Sequence, residues 1–121
     1  MNNYSDVLVI VDAGHGGIDS GAVGNGLEEK DLNLKSSLYI YNRLKELGIP
    51  VVITRTNDEY LPKAKRIERI KTLTNNNPNT LLISNHINAG GATTSNYKLI
   101  RIKWYFFLFF HKDYEFYYLH I

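Results

Sequence analysis

The chain has 121 residues and a mass of 13.9 kDa, which is the length of one ordinary domain. Hydrophobic residues make up 44 % and charged residues 21 %, a balance typical of a folded domain that excludes wholesale disorder. The net charge of +2 is too small to indicate nucleic-acid binding, and the absence of cysteine excludes disulfides, thiolate metal sites and cysteine nucleophiles.

The first part of the chain predicts a strand, a long loop and a helix. Residues 7–11, VLVIV, form an apolar run rich in β-branched residues, which is typical of a strand buried on both faces. Residues 12–29 contain six glycines and no clear period, so they are predicted to form an unusually long loop. A helix is predicted from Asp31 to a stop at Gly48. Its apolar face comprises Leu34, Leu38, Tyr41 and Leu44.

The middle of the chain repeats this order. Residues 51–54, VVIT, predict a second strand, and Pro62 suits the first turn of a second helix. The inward face predicted for that helix comprises Ala64, Ile67, Ile70 and Leu73. Residues 75–79 predict a turn, and residues 80–84, TLLIS, predict a third strand that ends at Asn85-His86. Strands that are apolar throughout and alternate with helices predict an α/β fold of parallel βαβ units.

The last thirty residues differ in composition from the rest. Of the 15 aromatic residues, 11 lie at or after Tyr97, whereas all nine glycines lie at or before Gly91. Residues 99–102 are a candidate strand, and residues 104–110, WYFFLFF, form an apolar run too short to cross a membrane. Two different compositions therefore meet near Gly91.

Two of the four histidines follow strands that are predicted to be parallel. His15 comes just after the first strand and His86 just after the third, and ligands gather at the carboxyl ends of parallel strands. Glu28 or Glu29, at the end of the glycine-rich loop, would complete a His, Glu, His set that suits catalytic zinc, whereas magnesium and calcium prefer more oxygen ligands. Each residue also has an ordinary structural interpretation. A lone histidine is commonly a satisfied polar residue, and first-turn acids interact favourably with a helix dipole.

Other chemistry-bearing motifs are excluded. Residues 14–19, GHGGID, begin like a dinucleotide-binding fingerprint, but the sixth position is Asp19 and the predicted helix starts too late to hold a pyrophosphate. The sequence has no G-x-x-x-x-G-K-[ST] phosphate loop, and neither Ser20 nor Ser84 lies in a G-x-S-x-G setting. Neither a nucleotide site nor a hydrolase serine is predicted.

Four further segments occur in a specific order. They are residues 11–24, VDAGHGGIDSGAVG; residues 26–31, GLEEKD; residues 54–58, TRTND; and residues 83–89, ISNHINA. In sequence and order they resemble the zinc-dependent N-acetylmuramoyl-L-alanine amidases of the amidase type 3 family, whose usual forms are D-P-G-H-G-G-x-D-x-G-A, G-x-x-E-K-D, T-R-x-x-D and S-x-H-x-N-A. Ala13 replaces the usual proline, and Arg66 lies where the following helix usually carries an arginine. The resemblance covers roughly residues 6–91.

The resemblance implies a fold, a cofactor and a reaction. The fold would be a twisted, mostly parallel sheet flanked by helices, of the amidase/phosphorylase-like type. His15, Glu29 and His86 would bind one zinc ion. Glu29 rather than Glu28 would be the ligand, because it precedes the Lys-Asp pair of the family motif. A zinc-activated water would hydrolyse the amide between N-acetylmuramic acid and the L-alanine of the peptidoglycan stem peptide.

One catalytic element of the family has no counterpart. The family's general base is a second glutamate in a segment resembling V-E-x-G-F-x-S-N, and nothing after Gly91 matches it, since Glu115 lacks the expected neighbours. No catalytic residue is therefore assigned. We expect residues 1–91 to be the N-terminal part of an incomplete, truncated amidase domain. We expect residues 92–121 to be an aberrant, aromatic-rich tail translated from a shifted reading frame.

Three functional alternatives follow. The first is a peptidoglycan amidase, and the others are an inactive zinc- and muropeptide-binding module and a non-functional fragment. We expect a monomer that acts at the bacterial cell wall, with no nucleic-acid partner and no membrane span. Because no basic-then-apolar leader opens the sequence, release by lysis is expected, as for a phage lysin or a spore-lysis enzyme.

Overall fold

A five-stranded sheet organises the part of the chain that the computed structural model describes, which comprises residues 6–88, 103–110 and 115–120. The elements, in chain order, are β1 (Leu8–Ala13), β2 (Val23–Gly24), β3 (Leu27–Glu28), α1 (Glu29–Glu46), β4 (Val51–Ile53), α2 (Lys63–Thr74), β5 (Thr80–Asn88), β6 (Lys103–Phe110) and β7 (Glu115–His120). The strand order in the large sheet is β4-β1-β5-β6-β7. Strands β2 and β3 form a separate antiparallel pair.

The three strands predicted from the sequence form the parallel half of the sheet. Strand β1 lies between β4 and β5 and is parallel to both, so that Val11 lies opposite Ile53 on one side and Ile83 on the other. The β1–α1–β4 and β4–α2–β5 connections run in opposite directions along the sheet, so right-handed crossovers place the two helices on opposite faces. Every residue of β1 after Leu8 is buried. The predicted α/β fold, with parallel strands flanked by helices, is confirmed in these three strands.

Strand β5 joins this parallel half to an antiparallel half. Strand β6 is antiparallel to β5, with the backbone of Leu108 opposite Ile83, and β7 is antiparallel to β6. The apolar run at residues 104–110 thus lies within a strand. Two predictions lie outside the described residues and stay predictions. They are the candidate strand at residues 99–102 and the domain boundary placed near Gly91 from the change in composition.

Helix α1 begins two residues earlier than predicted and ends where predicted. It starts at Glu29 because carbonyls of the preceding loop accept the first helical N–H groups: Glu29 donates to Ala22 at 2.8 Å and Lys30 to Ser20 at 3.0 Å. At the other end, Gly48 has a φ of 72° and donates its N–H to Lys45. A glycine in this left-handed conformation ends the helix as the sequence predicted.

The inner faces of the helices are less apolar than predicted. The fully buried residues of α1 are polar, and the four predicted apolar positions are half-buried. In α2, Ile70 and Leu73 are half-buried, but Ala64 and Ile67 are exposed, so the inward position predicted for these two is wrong. The physical reason is that α2 reaches the sheet partly through the long side chains of Arg66 and Arg69. No helix in the described part of the chain is long and apolar enough to cross a membrane.

Candidate metal centre

His15, Glu29 and His86 come together at the carboxyl ends of the parallel strands. Nε2 of His15 lies 3.1 Å, and Nδ1 of His86 lies 3.3 Å, from the same carboxylate oxygen, Oε1 of Glu29. The centroids of the two imidazole rings are 5.0 Å apart, and the ring planes meet at 80°. One ligand atom from each residue lies within 4.8 Å of the others, so the three residues are placed to hold a metal ion.

His15 lies two residues after β1, as predicted, in a left-handed turn. Its φ is 59°, a conformation uncommon for a residue with a side chain, and Gly16 and Gly17 follow with φ values of 134° and 59°. A Cβ on Gly16 would lie 2.1 Å from the carbonyl oxygen of Glu59, and one on Gly17 would lie 2.6 Å from the backbone nitrogen of Tyr60. Because these positions carry no side chain, the turn packs directly against the segment after β4. The turn also orients the His15 ring towards Glu29.

Two arginines hold the backbone that leads to His15. Arg55 is 2 % exposed and donates from Nε to the carbonyl of Ala13 at 3.1 Å and from Nη2 to that of Gly14 at 2.9 Å. Arg66 donates from Nη1 to Ala13 at 2.7 Å and from Nη2 to the carbonyl of His15 at 2.9 Å. Burial, together with the nearby charge of Arg66, lowers the pKa of Arg55. Three consecutive carbonyls are thus fixed by guanidinium groups.

His86 lies inside β5, and its predicted place just after the third strand is wrong. The strand continues to Asn88 because residues 81–88 pair with β6, a contact that the local sequence does not encode. The His86 ring lies against Gly14, where an added Cβ would come within 2.4 Å of the ring atom Cε1. Gly14 must therefore lack a side chain for His86 to reach the site.

Glu29 is the most enclosed of the three residues, at 4 % exposure. Its Oε1 accepts the backbone N–H of Ile87 at 2.9 Å and Nδ2 of Asn33 at 3.3 Å, while Oε2 accepts the N–H of Ala22 at 2.9 Å. Glu28 points elsewhere and pairs with Lys30 at 3.3 Å. The residue pattern alone left the choice between Glu28 and Glu29 open. In the structure, Glu29 contacts both histidines, whereas Glu28 contacts Lys30.

The charge state of the cluster follows from these contacts. Burial opposes ionisation of Glu29, but hydrogen bonds from His15, His86 and two backbone N–H groups hold the pKa of its carboxyl well below the ordinary value. The hydrogen bond to Glu29 in turn raises the pKa of His15. A carboxylate that stays ionised beside two imidazoles has the charge that a cation site requires.

Gly21 packs so closely against the cluster that the position cannot carry a side chain. Its φ is 65°, and a Cβ there would lie 2.7 Å from Oε2 of Glu29 and 2.7 Å from Cδ2 of His15. With Gly14 against His86, two glycines of the long loop flank the cluster. The high glycine content of this loop, noted in the sequence, is therefore explained in part by close packing at the site.

Several residues at the site received no role from the sequence. Asp19 accepts from Nδ1 of His15 at 2.9 Å, and Asn33 and Arg55 contact Glu29 and Gly14, respectively. The four-residue spacing of Glu29 and Asn33 on one helix was the available signal for Asn33. Glu115, considered above as a general base, is the first residue of β7, and its backbone pairs with Phe110.

Comparisons with known proteins identify the family of this chain. Residues 9–100 match the family profile described as N-acetylmuramoyl-L-alanine amidase. The sporulation-specific N-acetylmuramoyl-L-alanine amidase of Bacillus subtilis is 37 % identical over 89 residues, which are 72 % of this chain and 33 % of that protein. The uncharacterized protein YqiI of the same species is 40 % identical over 107 residues, 88 % of this chain and 46 % of that one.

Solved structures give the same result. The amidase AmiC2 of Nostoc punctiforme matches with a TM-score of 0.63 and 33 % identity over 74 % of this chain and 48 % of that chain. The catalytic domain of CwlV from Bacillus (Paenibacillus) polymyxa matches with a TM-score of 0.62 and 36 % identity, over 74 % and 49 %. The chain thus spans less than half the length of these relatives.

The similarity reaches beyond Gly91. The family profile matches as far as residue 100, and a similarity covering 88 % of the chain, as for YqiI, necessarily includes residues after Gly91. The division at residue 91 and the shifted-frame origin of residues 92–121 remain predictions, and translation of the other two frames of the gene tests them. An intact V-E-x-G-F segment in another frame is expected, and its absence from every frame would contradict the hypothesis.

Proposed function

The chain belongs to the N-acetylmuramoyl-L-alanine amidase family, and on that premise we propose that it hydrolyses the amide between N-acetylmuramic acid and the L-alanine of the stem peptide. The observation that carries the proposal is the convergence of His15 Nε2 and His86 Nδ1 on Oε1 of Glu29. Bacterial peptidoglycan would be the substrate, so the protein would act at the cell wall.

We propose zinc as the metal. Two imidazole nitrogens and one carboxylate are a donor set of catalytic zinc, whereas magnesium and calcium would need more oxygen ligands than this cluster offers. The fit is supported by the approach of two imidazole nitrogens to one ionised oxygen and by the absence of side chains at Gly14 and Gly21 beside it. A zinc ion held by these three residues would lower the pKa of a water to about 7 and polarise a substrate carbonyl.

The chain's own residues would hold this ligand set in place. Glu29 is oriented by the N–H groups of Ile87 and Ala22, and the backbone of His15 is fixed by Arg55 and Arg66. Ligands that are already positioned need little rearrangement on binding, and such outer contacts raise metal affinity. The buried Glu29 carboxylate would stay ionised and so remain a ligand rather than a proton donor.

A second candidate is a module that binds zinc and muropeptide without hydrolysis. It is favoured by one observation: between Gly91 and Ile121, Glu115 is the only glutamate, and it lacks the family's general-base motif. Loss of a general base commonly reduces a rate by about 10²–10⁴-fold. The two candidates therefore share the metal site and differ in turnover.

One assay separates them. The full chain, loaded with zinc, is incubated with purified peptidoglycan, and mass spectrometry measures new L-alanine amino termini, with Glu29→Gln as the control that lacks the metal ligand. The amidase proposal predicts new termini above the level of the control. A zinc-bound chain that produces none would leave the binding module, and a folded chain that binds no zinc would contradict both.

A further inference from the structure

We propose that Asp19 is a positioning residue that holds the His15 ring in the tautomer and orientation that bind a metal ion. The inference rests on the proposed function, because it takes His15 as a ligand. It concerns a contact outside the His15, Glu29 and His86 set.

Both ring nitrogens of His15 face carboxylates. Nδ1 lies 2.9 Å from Oδ2 of Asp19, and Nε2 lies 3.1 Å from Oε1 of Glu29. Both carboxylates can accept a hydrogen bond from the ring. When Nε2 offers its lone pair to a metal ion, the ring hydrogen must lie on Nδ1, where Asp19 accepts it. The lone pair of that ring then lies on Nε2, the nitrogen that faces the cluster.

In this tautomer, the Nε2 lone pair is available to bind a cation. Without one, the Nε2 lone pair would face the ionised Oε1 of Glu29 at 3.1 Å, which is repulsive. Nδ1 of His86 faces the same oxygen at 3.3 Å. A positive charge among these three atoms removes the repulsion, so a bound cation and Asp19 together favour this tautomer. A carboxylate behind a metal-binding histidine also increases the basicity of the imidazole.

Asp19 is itself held by the turn that carries His15. Its Oδ1 accepts the N–H of Gly21 at 3.1 Å. Its backbone exchanges two hydrogen bonds with Gly16, at 2.9 Å and 3.1 Å, which closes residues 16–19 into a tight turn. The carboxylate is thus fixed relative to the ring by three backbone contacts. The Asp19 side chain is 50 % exposed, so its contact with His15 contributes little to folding stability. Substituting Asp19 should therefore change metal binding and leave folding stability nearly unchanged.

Asp58 provides a matched control. Its side chain is 51 % exposed, and it too accepts a backbone N–H of the glycine-rich loop, that of Gly17 at 2.7 Å. Its charged partner is Lys30, at 2.8 Å, and not a histidine. Replacing either aspartate removes one exposed charge and one loop contact, but only Asp19 contacts a proposed ligand.

The test measures zinc dissociation constants of the full chain by competition with a chromophoric chelator, while circular dichroism checks folding. Asp19→Ala is expected to weaken zinc binding by about 10–100-fold, the usual effect of removing an outer-shell partner. Asp19→Asn should weaken it less, because the amide oxygen still accepts from Nδ1 but carries no charge. Asp58→Asn should stay within about twofold of the wild type, as expected for an exposed pair.

A second readout reports the hydrogen bond to Asp19 in the zinc-bound protein. ¹H–¹⁵N spectra should show a hydrogen on Nδ1 of His15 that exchanges slowly with water in the wild type and faster in Asp19→Ala. A folded Asp19→Ala variant with wild-type zinc affinity and wild-type exchange of the Nδ1 hydrogen would overturn the inference, as would an equal loss of affinity in Asp58→Asn. Failure of the wild type to bind zinc would instead overturn the proposed function.

Discussion

The two helices meet the same sheet with different surfaces. Helix α1 buries a polar stripe at four-residue spacing, Glu29, Asn33 and Ser37, whereas α2 has no fully buried residue. Helix α2 instead extends Arg66 and Arg69 to backbone carbonyls at the ends of β1 and β4. Helix α1 thus forms a wall of the candidate site and contributes Glu29 to it, while α2 supports the site through long cationic side chains.

The polar stripe of α1 has a cost in stability. Nδ2 of Asn85 donates to the hydroxyl groups of Ser36 and Ser37, and Nδ2 of Asn33 donates to Gly14 and Glu29. In the part of the chain that the structure describes, Oδ1 of Asn33 and Oδ1 of Asn85 are buried without a hydrogen-bond partner. Each such atom costs about 1–3 kcal/mol. Apolar residues would pack here without that cost, so we interpret the stripe as serving the position of Glu29.

The largest expected effect is on α2, at the ion pair between Arg66 and Asp12. The two groups lie 2.6 Å apart with little exposure, and removing one partner of a buried pair costs about 3–5 kcal/mol. Hydroxyl groups of Thr54 and Ser84 also donate to Asp12, so its carboxylate keeps two hydrogen bonds when Arg66 is replaced. We therefore expect Arg66→Met to lower the free energy of unfolding by about 3 kcal/mol in urea titrations, the lower end of that range.

Arg69→Met is the control on the same helix. Arg69 pairs with Glu59 at 2.7 Å, but both side chains are more than one-third exposed, so the expected loss is about 1 kcal/mol or less. Equal losses for the two variants would contradict the view that α2 supports the site specifically through Arg66.

The second-largest effect is expected on α1, where replacing Glu29 should weaken zinc binding. Glu29→Gln keeps the shape of the side chain but removes its charge, so zinc affinity should fall more than about 100-fold, beyond the range for outer-shell partners. Glu28→Gln, one residue earlier, should leave the affinity within about twofold, because its carboxylate pairs with Lys30 near the surface. Chelator competition measures both. A similar loss in both variants would show that net charge near the helix start matters, and not ligation by Glu29.

A smaller effect is expected from Asn33→Ala. The substitution removes the hydrogen bonds to Gly14 and Glu29 but also the unpartnered Oδ1, so the net loss of unfolding free energy should be about 1 kcal/mol, the lower end of the range for a lost buried partner. Zinc affinity should fall in parallel, because Glu29 loses one of its orienting contacts. A variant with wild-type stability would refute a supporting role for the polar stripe.

The smallest effect is expected at an apolar residue of α2. Ile67 is 44 % exposed, so Ile67→Ser should change the unfolding free energy by only about 0.5 kcal/mol. A polar residue of α1 would then matter more than an apolar residue of α2, the reverse of a simple hydrophobic pattern. A loss above that of Asn33→Ala in the same urea titration would mean that Ile67 is covered in solution.

The sequence predicted the parts of this molecule that depend on local patterns. The apolar strands and the end of α1 at Gly48 follow from periodicity and helix-stop signals. The strand-end rule placed His15 correctly, and His86 lies one residue beyond the part of β5 that pairs with β1. The length of β5 was missed because it depends on pairing with β6, which is distant in sequence. Asn33 was missed because helical period counting ranks apolar residues, whereas this face of the sheet presents groups that require hydrogen bonds.

We propose that His15, Glu29 and His86 bind one metal ion. Anomalous diffraction at the zinc edge, from crystals of the zinc-loaded full chain, tests it most directly. We predict a single anomalous peak about 2.0–2.2 Å from Nε2 of His15, a carboxylate oxygen of Glu29 and Nδ1 of His86, the usual zinc distances. A peak bound by other residues, or no peak in zinc-saturated crystals, would contradict the claim.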